Sequence, residues 1–274
     1  MTEQNRLSEA PLNFASTNEA FFNESAQSYN QRPNVDQHVK VLVSLFTAYA
    51  DLFASDKEPT MTMMDFACGT GLISKALQDY TKRIVGVDIS QAMVDEYNKT
   101  FAGSGRDISA RCVNLLEEPN MLGEKFDIVV CASAYHHFED VDAYTRSLVA
   151  HLKPGGSLLV ADLVKPESAS DDGNPSLAHD GDHHHGHHDG SQAHQHAHAP
   201  VRGHADLFPK EVHHIVAHRG GFSKEDMERT FKAAGLEEFS MKATSSSAQI
   251  TMHGRHVRLF VARGNVKRDA PPAD

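Results

Sequence analysis

Strand-sized apolar segments alternate with helix-like segments between residues 61 and 163, and this alternation constrains the fold most strongly. Most of the apolar segments are uninterrupted, as in strands that are buried on both faces. They begin near residues 61, 83, 108, 126 and 157, and the intervening segments predict helices over 72–80, 90–101 and 141–152, the second with Ser90 as its N-cap. This order of elements is typical of an α/β protein with a parallel sheet and helices on both faces.

The flanking segments add further elements to this pattern. From residue 33, apolar residues recur every three or four positions up to Phe53, which predicts an amphipathic helix that ends before Asp56. Ser223 and Asp226 form a capping-box pattern at the start of a helix that ends at Gly235. Two strands follow, over 236–243 and 249–263, joined by the loop 244–248. We therefore expect an antiparallel hairpin at the end of the otherwise parallel sheet.

One domain with an insertion fits the 274 residues, of which 40% are apolar. We expect a partly disordered N-terminal extension over 1–32 that starts a cap over the active site. The main domain is predicted over 33–263, and a disordered tail over 264–274. Residues 166–206 are rich in His, Asp and Gly and contain almost no large apolar side chain, so they are predicted to be a disordered insert or a mobile flap.

Charge and cysteine usage exclude several classes of protein. A formal charge of −11 argues against a nonspecific nucleic-acid binder, which needs a basic surface. Cys68, Cys112 and Cys131 form no CxxC pair, which argues against a disulfide framework or a structural zinc site. No apolar segment has the length of a signal peptide or a membrane span. We expect no membrane partner and a cytoplasmic location, with the nucleus as the alternative.

A glycine-rich turn joins the first strand to the first helix, where residues 65–71 read DFACGTG. Gly69 and Gly71 allow a tight turn and let the backbone approach a ligand beside the helix N-terminus. Asp88 ends the second strand, where a carboxylate can accept hydrogen bonds from a ribose diol. This combination predicts a cofactor that contains adenosine, which is either a dinucleotide or S-adenosylmethionine.

Two observations argue against a dinucleotide. Ser74 stands where the GxGxxG pattern requires its third glycine, and no tyrosine is followed four residues later by lysine, as in short-chain dehydrogenases. An NAD-linked oxidoreductase is therefore kept only as a minor hypothesis.

The 65–71 loop resembles motif I of the class I S-adenosylmethionine-dependent methyltransferases. The resemblance covers roughly 15–263 and extends to Asp88, to the strand FDIVV at 126–130, to HHF at 136–138 and to LKPGG at 152–156. It implies S-adenosyl-L-methionine as cofactor and a Rossmann-like, seven-stranded, mostly parallel sheet with helices on both faces and a C-terminal antiparallel hairpin. HHF and the segment AQSY at 26–29 resemble the small-molecule branch that includes quinone-biosynthesis and sterol methyltransferases.

The resemblance also implies roles for individual residues. Asp65 would brace the loop, the backbone around Ala67, Gly69 and Gly71 would contact the methionine part, and Asp88 would hold the ribose. Ala67 stands where glycine is more common, a change that we expect to be tolerated. The remaining cofactor-binding candidates are Asn114 and Leu115 at the adenine, Ala132 and Ser133 near the methionine amino group, and Tyr29 in the N-terminal segment.

Missing motifs narrow the acceptor of the methyl group. No NPPY follows the fourth strand, which argues against amide and exocyclic-amine methyltransferases, and no cysteine follows a proline, which argues against cytosine-C5 methylation. The metal-binding triad of the catechol enzymes is missing, and so are the converging thiols that arsenite methylation requires. A small organic acceptor with an O, N, S or C nucleophile is therefore expected. A general base is needed only if the acceptor must lose a proton. Our catalytic candidates are His136 and His137, and further imidazoles follow the insert at His213, His214 and His218.

The insert contains ten histidines between residues 179 and 204. Clustered imidazoles bind zinc or nickel adventitiously, but a glycine-rich tract cannot hold one catalytic geometry, so no metal is expected to be required. We expect a spacer, with a metal-binding flap as the alternative. The second hypothesis for function is a catalytically silent methyltransferase-fold protein that binds metal or a partner through this flap. The clustered histidines are His183, His184, His185, His187 and His188.

Overall fold

The computed structural model describes residues 13–53, 59–166, 206–252 and 254–269. The helices in these ranges are α1 (Phe14–Ser25), α2 (Val35–Thr47), α3 (Leu72–Leu77), α4 (Gln91–Phe101), α5 (Val141–Ala150) and α6 (Lys224–Ala233). The strands are β1 (Thr62–Phe66), β2 (Arg83–Asp88), β3 (Asp107–Cys112), β4 (Phe126–Ala132), β5 (Leu152–Leu163), β6 (Glu237–Ala243), β7 (Ile250–Met252), β8 (Arg255–Val257) and β9 (Leu259–Asn265). A short 3-10 helix over Ala26–Gln31 follows α1.

Seven strands form one sheet in the order β3-β2-β1-β4-β5-β9-β6. The strands β1 to β5 pair in parallel, whereas β9 lies antiparallel to both β5 and β6. The predicted fold class, a mostly parallel seven-stranded sheet with an antiparallel end, is confirmed. The strand order reverses between β1 and β4, and α/β proteins bind ligands in the crevice beyond the carboxyl ends of such strands.

Two apolar clusters cover the two faces of this sheet. Phe46 of α2 and Leu77 of α3 are fully buried in one cluster, and Leu148 of α5 and Phe231 of α6 are fully buried in the other. Each such side chain contributes about 1.5–3 kcal/mol to folding when it leaves water. The helices therefore hold the sheet from both sides and leave its carboxyl edge for the site.

The predicted helix ends that rest on capping residues are confirmed. The Ser90 side chain accepts a hydrogen bond from the Met93 amide at the start of α4. Ser223 and Asp226 form the capping box of α6, and Gly235 follows that helix with a φ of +82°. These signals are local in the sequence, which explains why they could be interpreted without the fold.

Two helices end earlier than the sequence indicates. Helix α2 ends at Thr47, and Tyr49 and Phe53 are buried from the irregular segment that follows it. Tyr49 leaves the helical path because its hydroxyl reaches the Val261 carbonyl of β9. Helix α5 ends at Ala150 because Leu152 already pairs with Phe126, so β5 begins before residue 157 and its pairing with β4 contains a register shift.

The C-terminal hairpin also differs from the prediction. The second strand, β9, begins at Leu259 rather than at residue 249 and runs to Asn265, past the domain limit of 263. Strands β7 and β8, which lie between β6 and β9 in the chain, form a separate two-stranded sheet. Ile250 and Val257 of that small sheet are buried in the cluster that contains α2, and this burial explains why the segment leaves the main sheet.

The remaining domain limits stay predictions. Helix α1 and the 3-10 helix occupy much of the predicted N-terminal extension. Almost the whole predicted insert and the last residues of the predicted tail lie outside the described residues, and so do the clustered histidines.

Candidate active site

A cavity of about 270 Å³ lies at the carboxyl ends of β1, β2 and β4, between the sheet and α1; we call it the first cavity. Asn18 and Phe22 of α1 line it, together with Phe66 of β1 and Phe138 after β4. The structure brings together here six of the residues predicted to bind the cofactor, namely Tyr29, Ala67, Gly69, Asp88, Ala132 and Ser133.

The glycine-rich turn lies between β1 and α3 and forms one wall of the first cavity. Ala67, Gly69 and Gly71 have positive φ angles of +54°, +50° and +88°. A Cβ atom on Gly71 would lie 2.8 Å from the rings of Tyr97 and Phe101, so that position requires glycine. Ala67 adopts a left-handed conformation that glycine tolerates better, so the departure from the family pattern carries backbone strain. Gly71 itself does not line the cavity.

Asp65 lies beneath the turn and is 2% exposed. Its Oδ2 accepts a hydrogen bond of 2.6 Å from the Ser74 hydroxyl, which in turn accepts one of 2.7 Å from the Tyr97 hydroxyl. Burial raises the pKa of Asp65 to about 7, with a smaller contribution from the charge of Asp88. The side chain ties β1 to α3 and α4 without reaching the first cavity, a placement compatible with the predicted bracing role.

Asp88 stands at the end of β2 and is 8% exposed. Its two oxygens accept hydrogen bonds of 2.9 Å from the Gly69 and Ser90 amides. Burial raises the pKa of this carboxyl, although the two amide bonds act in the opposite direction. The carboxylate is thereby held at the wall of the first cavity, beside the turn.

The two residues predicted to contact the adenine lie just before the residue of this segment that reaches the first cavity. Asn114 and Leu115 do not line the first cavity, whereas Leu116 does. The Asn114 Oδ1 accepts the Leu116 amide at 3.2 Å, and Leu115 is buried in the core. Ile89, directly after Asp88, also lines the cavity and was not predicted. Its position after the acidic residue is the signal that could have identified it.

Helix α1 and the 3-10 helix close the first cavity from above. The Asn23 side-chain oxygen accepts hydrogen bonds from the Ser90 hydroxyl and the Ala92 amide, and the Thr70 hydroxyl donates to Asn30 at 2.6 Å. Asn18 is 5% exposed and donates through Nδ2 to the Ile215 carbonyl, but its Oδ1 has no partner among the described residues. The sequence contained no signal for Asn18.

A second cavity of about 590 Å³ adjoins the first. Four residues line both cavities and lie where the two adjoin, namely Phe22, Tyr29, Ser133 and His137. The other walls come from the start of α2, from the segment 208–216 and from the loop around β7. Two adjoining compartments at the carboxyl edge of the sheet can hold two ligands at once.

His136 is 6% exposed and lines the second cavity. Its Nδ1 lies 2.9 Å from Asp162 Oδ1, and its amide donates to Asp162 Oδ2. Burial alone would raise the pKa of Asp162, but His136 and the Leu163 amide outweigh it and hold this pKa below its usual value. An ionised carboxylate can only accept, so Nδ1 carries the proton that points to Asp162.

His137 lies between the two cavities, and its ring centroid is 4.2 Å from that of His136. Its Nδ1 donates to the Ile215 carbonyl at 2.6 Å. Burial, with the charge of His136, lowers the pKa of His137 to about 3. His38 of α2 lies 2.8 Å from the Ser133 hydroxyl, and burial lowers its pKa to about 4. Both rings are neutral at physiological pH.

The imidazoles after the insert lie elsewhere. His213, His214 and His218 line neither cavity. His213 is 3.0 Å from Asp206, and the His218 backbone amide donates to the His136 carbonyl.

Within the described ranges, no three His, Cys, Asp or Glu side chains form a cluster that could hold a metal ion. No helix in the part of the chain that the structure describes is long and apolar enough to cross a membrane.

Residues 64–158, which carry the turn, Asp88 and both candidate histidines, match the family model described as a methyltransferase domain. This segment of the chain is a methyltransferase domain. An uncharacterized methyltransferase of Schizosaccharomyces pombe is 37% identical over 188 residues, which cover 66% of this chain and 55% of that protein. A ubiquinone biosynthesis O-methyltransferase of Idiomarina loihiensis is 28% identical over 101 residues, covering 37% of this chain and 42% of that protein.

The methyltransferase domain also resembles solved structures. The magnesium protoporphyrin IX methyltransferase of Synechocystis PCC 6803 with bound S-adenosylmethionine aligns with a TM-score of 0.55 at 16% identity, covering 93% of this chain and 99% of that one. The methyltransferase family predicted from the sequence is thus confirmed, and the solved structure has the same fold. The chain spans about half the length of the curated relatives it matches. These comparisons give no support to a catalytically silent protein.

Proposed function

We propose that this protein transfers a methyl group from S-adenosyl-L-methionine to a small organic acceptor whose nucleophilic atom loses a proton. One observation carries the proposal: the first cavity, with its glycine-rich turn and Asp88, adjoins a second cavity across four shared side chains. Donor and acceptor must be held in line at near-contact distance for methyl transfer, and adjoining cavities meet this requirement.

The residues of the first cavity fit the cofactor. When bound, S-adenosyl-L-methionine supplies a methyl group that its sulfonium already activates. Asp88 holds the ribose hydroxyls, the apolar side chains of Ile89 and Leu116 hold the adenine, and the turn at Ala67 and Gly69 receives the methionine part. The unpartnered Oδ1 of Asn18 accepts a hydrogen bond from a ligand N–H, which supplies the partner that a buried oxygen requires.

His136 acts as the general base in the second cavity. In the unprotonated ring, Nε2 receives the acceptor proton, while Asp162 fixes the ring and stabilises the imidazolium that forms. His137 lacks a carboxylate partner among the described residues and has its pKa lowered to about 3, which suits a wall residue better than a base. Phe22 lines both cavities, and its ring excludes water from the point where they meet.

Calorimetric titration with S-adenosylhomocysteine tests the cofactor assignment. We expect S-adenosylhomocysteine, the product that the cofactor becomes after methyl transfer, to bind and NAD not to bind. A folded protein that binds no S-adenosylhomocysteine contradicts the proposal, and NAD binding would favour the oxidoreductase hypothesis. Comparison of metabolites from deletion and wild-type cells identifies the acceptor.

The base is tested with that acceptor and the variant Asp162→Asn. Asparagine keeps one of the two oxygens that accept from the His136 and Leu163 amides, and it removes the charge that stabilises a protonated His136. We expect kcat to fall at least about tenfold while affinity for S-adenosylhomocysteine is unchanged. Asp36→Asn, at an exposed position in α2, is the control. Unchanged kcat in Asp162→Asn would show that His136 does not remove the proton.

The remaining assignments are also proposals. We place the protein in the cytoplasm, and a fluorescent fusion imaged against a nuclear marker tests this.

We assign the histidine-rich insert as a spacer that binds zinc or nickel only adventitiously. Replacing 168–204 by a short Gly/Ser linker should then preserve turnover in metal-free buffer. Turnover that collapses in the shortened chain would make the insert a functional element.

A further inference from the structure

The second cavity has an unusual balance of charge. Its lining contains apolar and aromatic side chains, three histidines and Arg32, but no aspartate or glutamate among the described residues. His38 and His137 are neutral at physiological pH because burial lowers their pKa values to about 4 and about 3. The His136 ring lies between Asp162 and the cavity and separates the carboxylate charge from it. Arg32 is therefore the permanent cation of the described lining.

Arg32 is held in place by aromatic rings rather than by a carboxylate. Its guanidinium carbon lies 4.2 Å from the ring centroid of Tyr29 and 5.8 Å from that of Phe21. Among the residues that the structure describes, no acidic side chain pairs with it. Stacking orients the plane of a guanidinium and leaves the N–H groups along its edge available to a ligand.

We propose that the acceptor carries one carboxylate on an apolar, aromatic-sized body, and that Arg32 binds this carboxylate. The inference rests on the proposed function, since it names the class of molecule that enters the second cavity. A planar carboxylate matches the two parallel N–H donors of a guanidinium. A single permanent cation in a described lining without carboxylates fits a monoanion. The volume of about 590 Å³ lies within the usual range for small-ligand sites.

In this arrangement the carboxylate anchors the acceptor and is not itself methylated. Arg32 and His136 line the same cavity, so the anchored body presents a second atom to His136 and to the methyl group. Arg32 is thus a specificity residue, whereas His136 is the base. Loss of Arg32 should change which molecules bind and leave the first cavity unaffected.

The experiment is isothermal titration of the full chain with 4-phenylbenzoate and with its neutral analogue 4-phenylbenzamide, both with and without saturating S-adenosylhomocysteine. We expect the acid to bind the wild-type protein about ten- to a hundredfold more tightly than the amide, the range for a charge-assisted hydrogen-bonded pair. Arg32→Gln should remove this preference, and Arg32→Lys should retain part of it. Arg111→Gln, an exposed arginine of the edge strand β3, is the matched control and should behave as wild type.

Three results would overturn the inference: equal binding of acid and amide to the wild type, a preference that survives in Arg32→Gln, or binding of neither probe. Affinity of each variant for S-adenosylhomocysteine shows that the domain is folded. The two proposals fail separately. Absence of S-adenosylhomocysteine binding refutes the proposed function, whereas the acid preference is measured in the cofactor-free protein as well.

Discussion

Replacing Asp65 by asparagine should make the protein more stable at neutral and alkaline pH. The folded state raises the pKa of this carboxyl from 3.8 to about 7, chiefly through burial. Between these two values the unfolded chain has released the proton while the folded chain still holds it. Stability of the wild type relative to Asp65→Asn therefore falls as pH rises from about 4 to about 7 and is constant above that range.

The size of the effect follows from the shift. Roughly three pKa units at 1.36 kcal/mol each give about 4 kcal/mol between the two ends of the range. Asparagine keeps an oxygen for the Ser74 hydroxyl, so the variant loses the buried charge and not the hydrogen bond. The difference in unfolding free energy between the wild type and the variant should change by about this amount.

Urea denaturation of both proteins at each pH unit from 3 to 8 measures this difference. Asp127→Asn is a control of opposite sign. Burial opposes ionisation of Asp127, but Lys153 and Thr62 hold its pKa below the usual value. The wild type should therefore gain stability relative to Asp127→Asn as pH rises through the acidic range. If the unfolding free energies of the wild type and Asp65→Asn depend on pH in the same way, Asp65 does not have the raised pKa of a buried carboxyl.

Three further changes test the first cavity and its turn. Asp88→Ala should weaken S-adenosylhomocysteine binding by about 1–3 kcal/mol in calorimetry, and unchanged affinity would show that the carboxylate does not contact the ligand. Gly71→Ala should lower the unfolding free energy by about 2–4 kcal/mol, because its φ is +88° and its new methyl would meet two rings of α4 at 2.8 Å. Ala67→Gly should raise the unfolding free energy by about 0.5–1 kcal/mol, because glycine relieves the left-handed strain at some cost in entropy. Urea denaturation measures both, and a lower midpoint for Ala67→Gly would contradict the strain.

Much of the first cavity could be predicted because its signals are local. The turn, the glycines and Asp88 are placed by the strand and helix that enclose them, and a parallel sheet aligns the ends of its strands. The residue that follows β3 into the first cavity could not be predicted from the sequence. The Asn114 side chain accepts a hydrogen bond from the Leu116 amide, and this turn brings Leu116 to the cavity. A shift of one residue reverses the face that a side chain occupies.

The sequence by itself determined the alternation of strands and helices, the helix caps and the glycine-rich turn, because each depends on residues close together in the chain. Only the tertiary structure decided which distant groups meet. His136 pairs with Asp162 across 26 residues, and Asn18 bonds Ile215 across 197. Arg32 lines a cavity whose walls come from four separate segments. Such contacts follow from packing of the whole core, and packing leaves no periodic signal in the residues that make them.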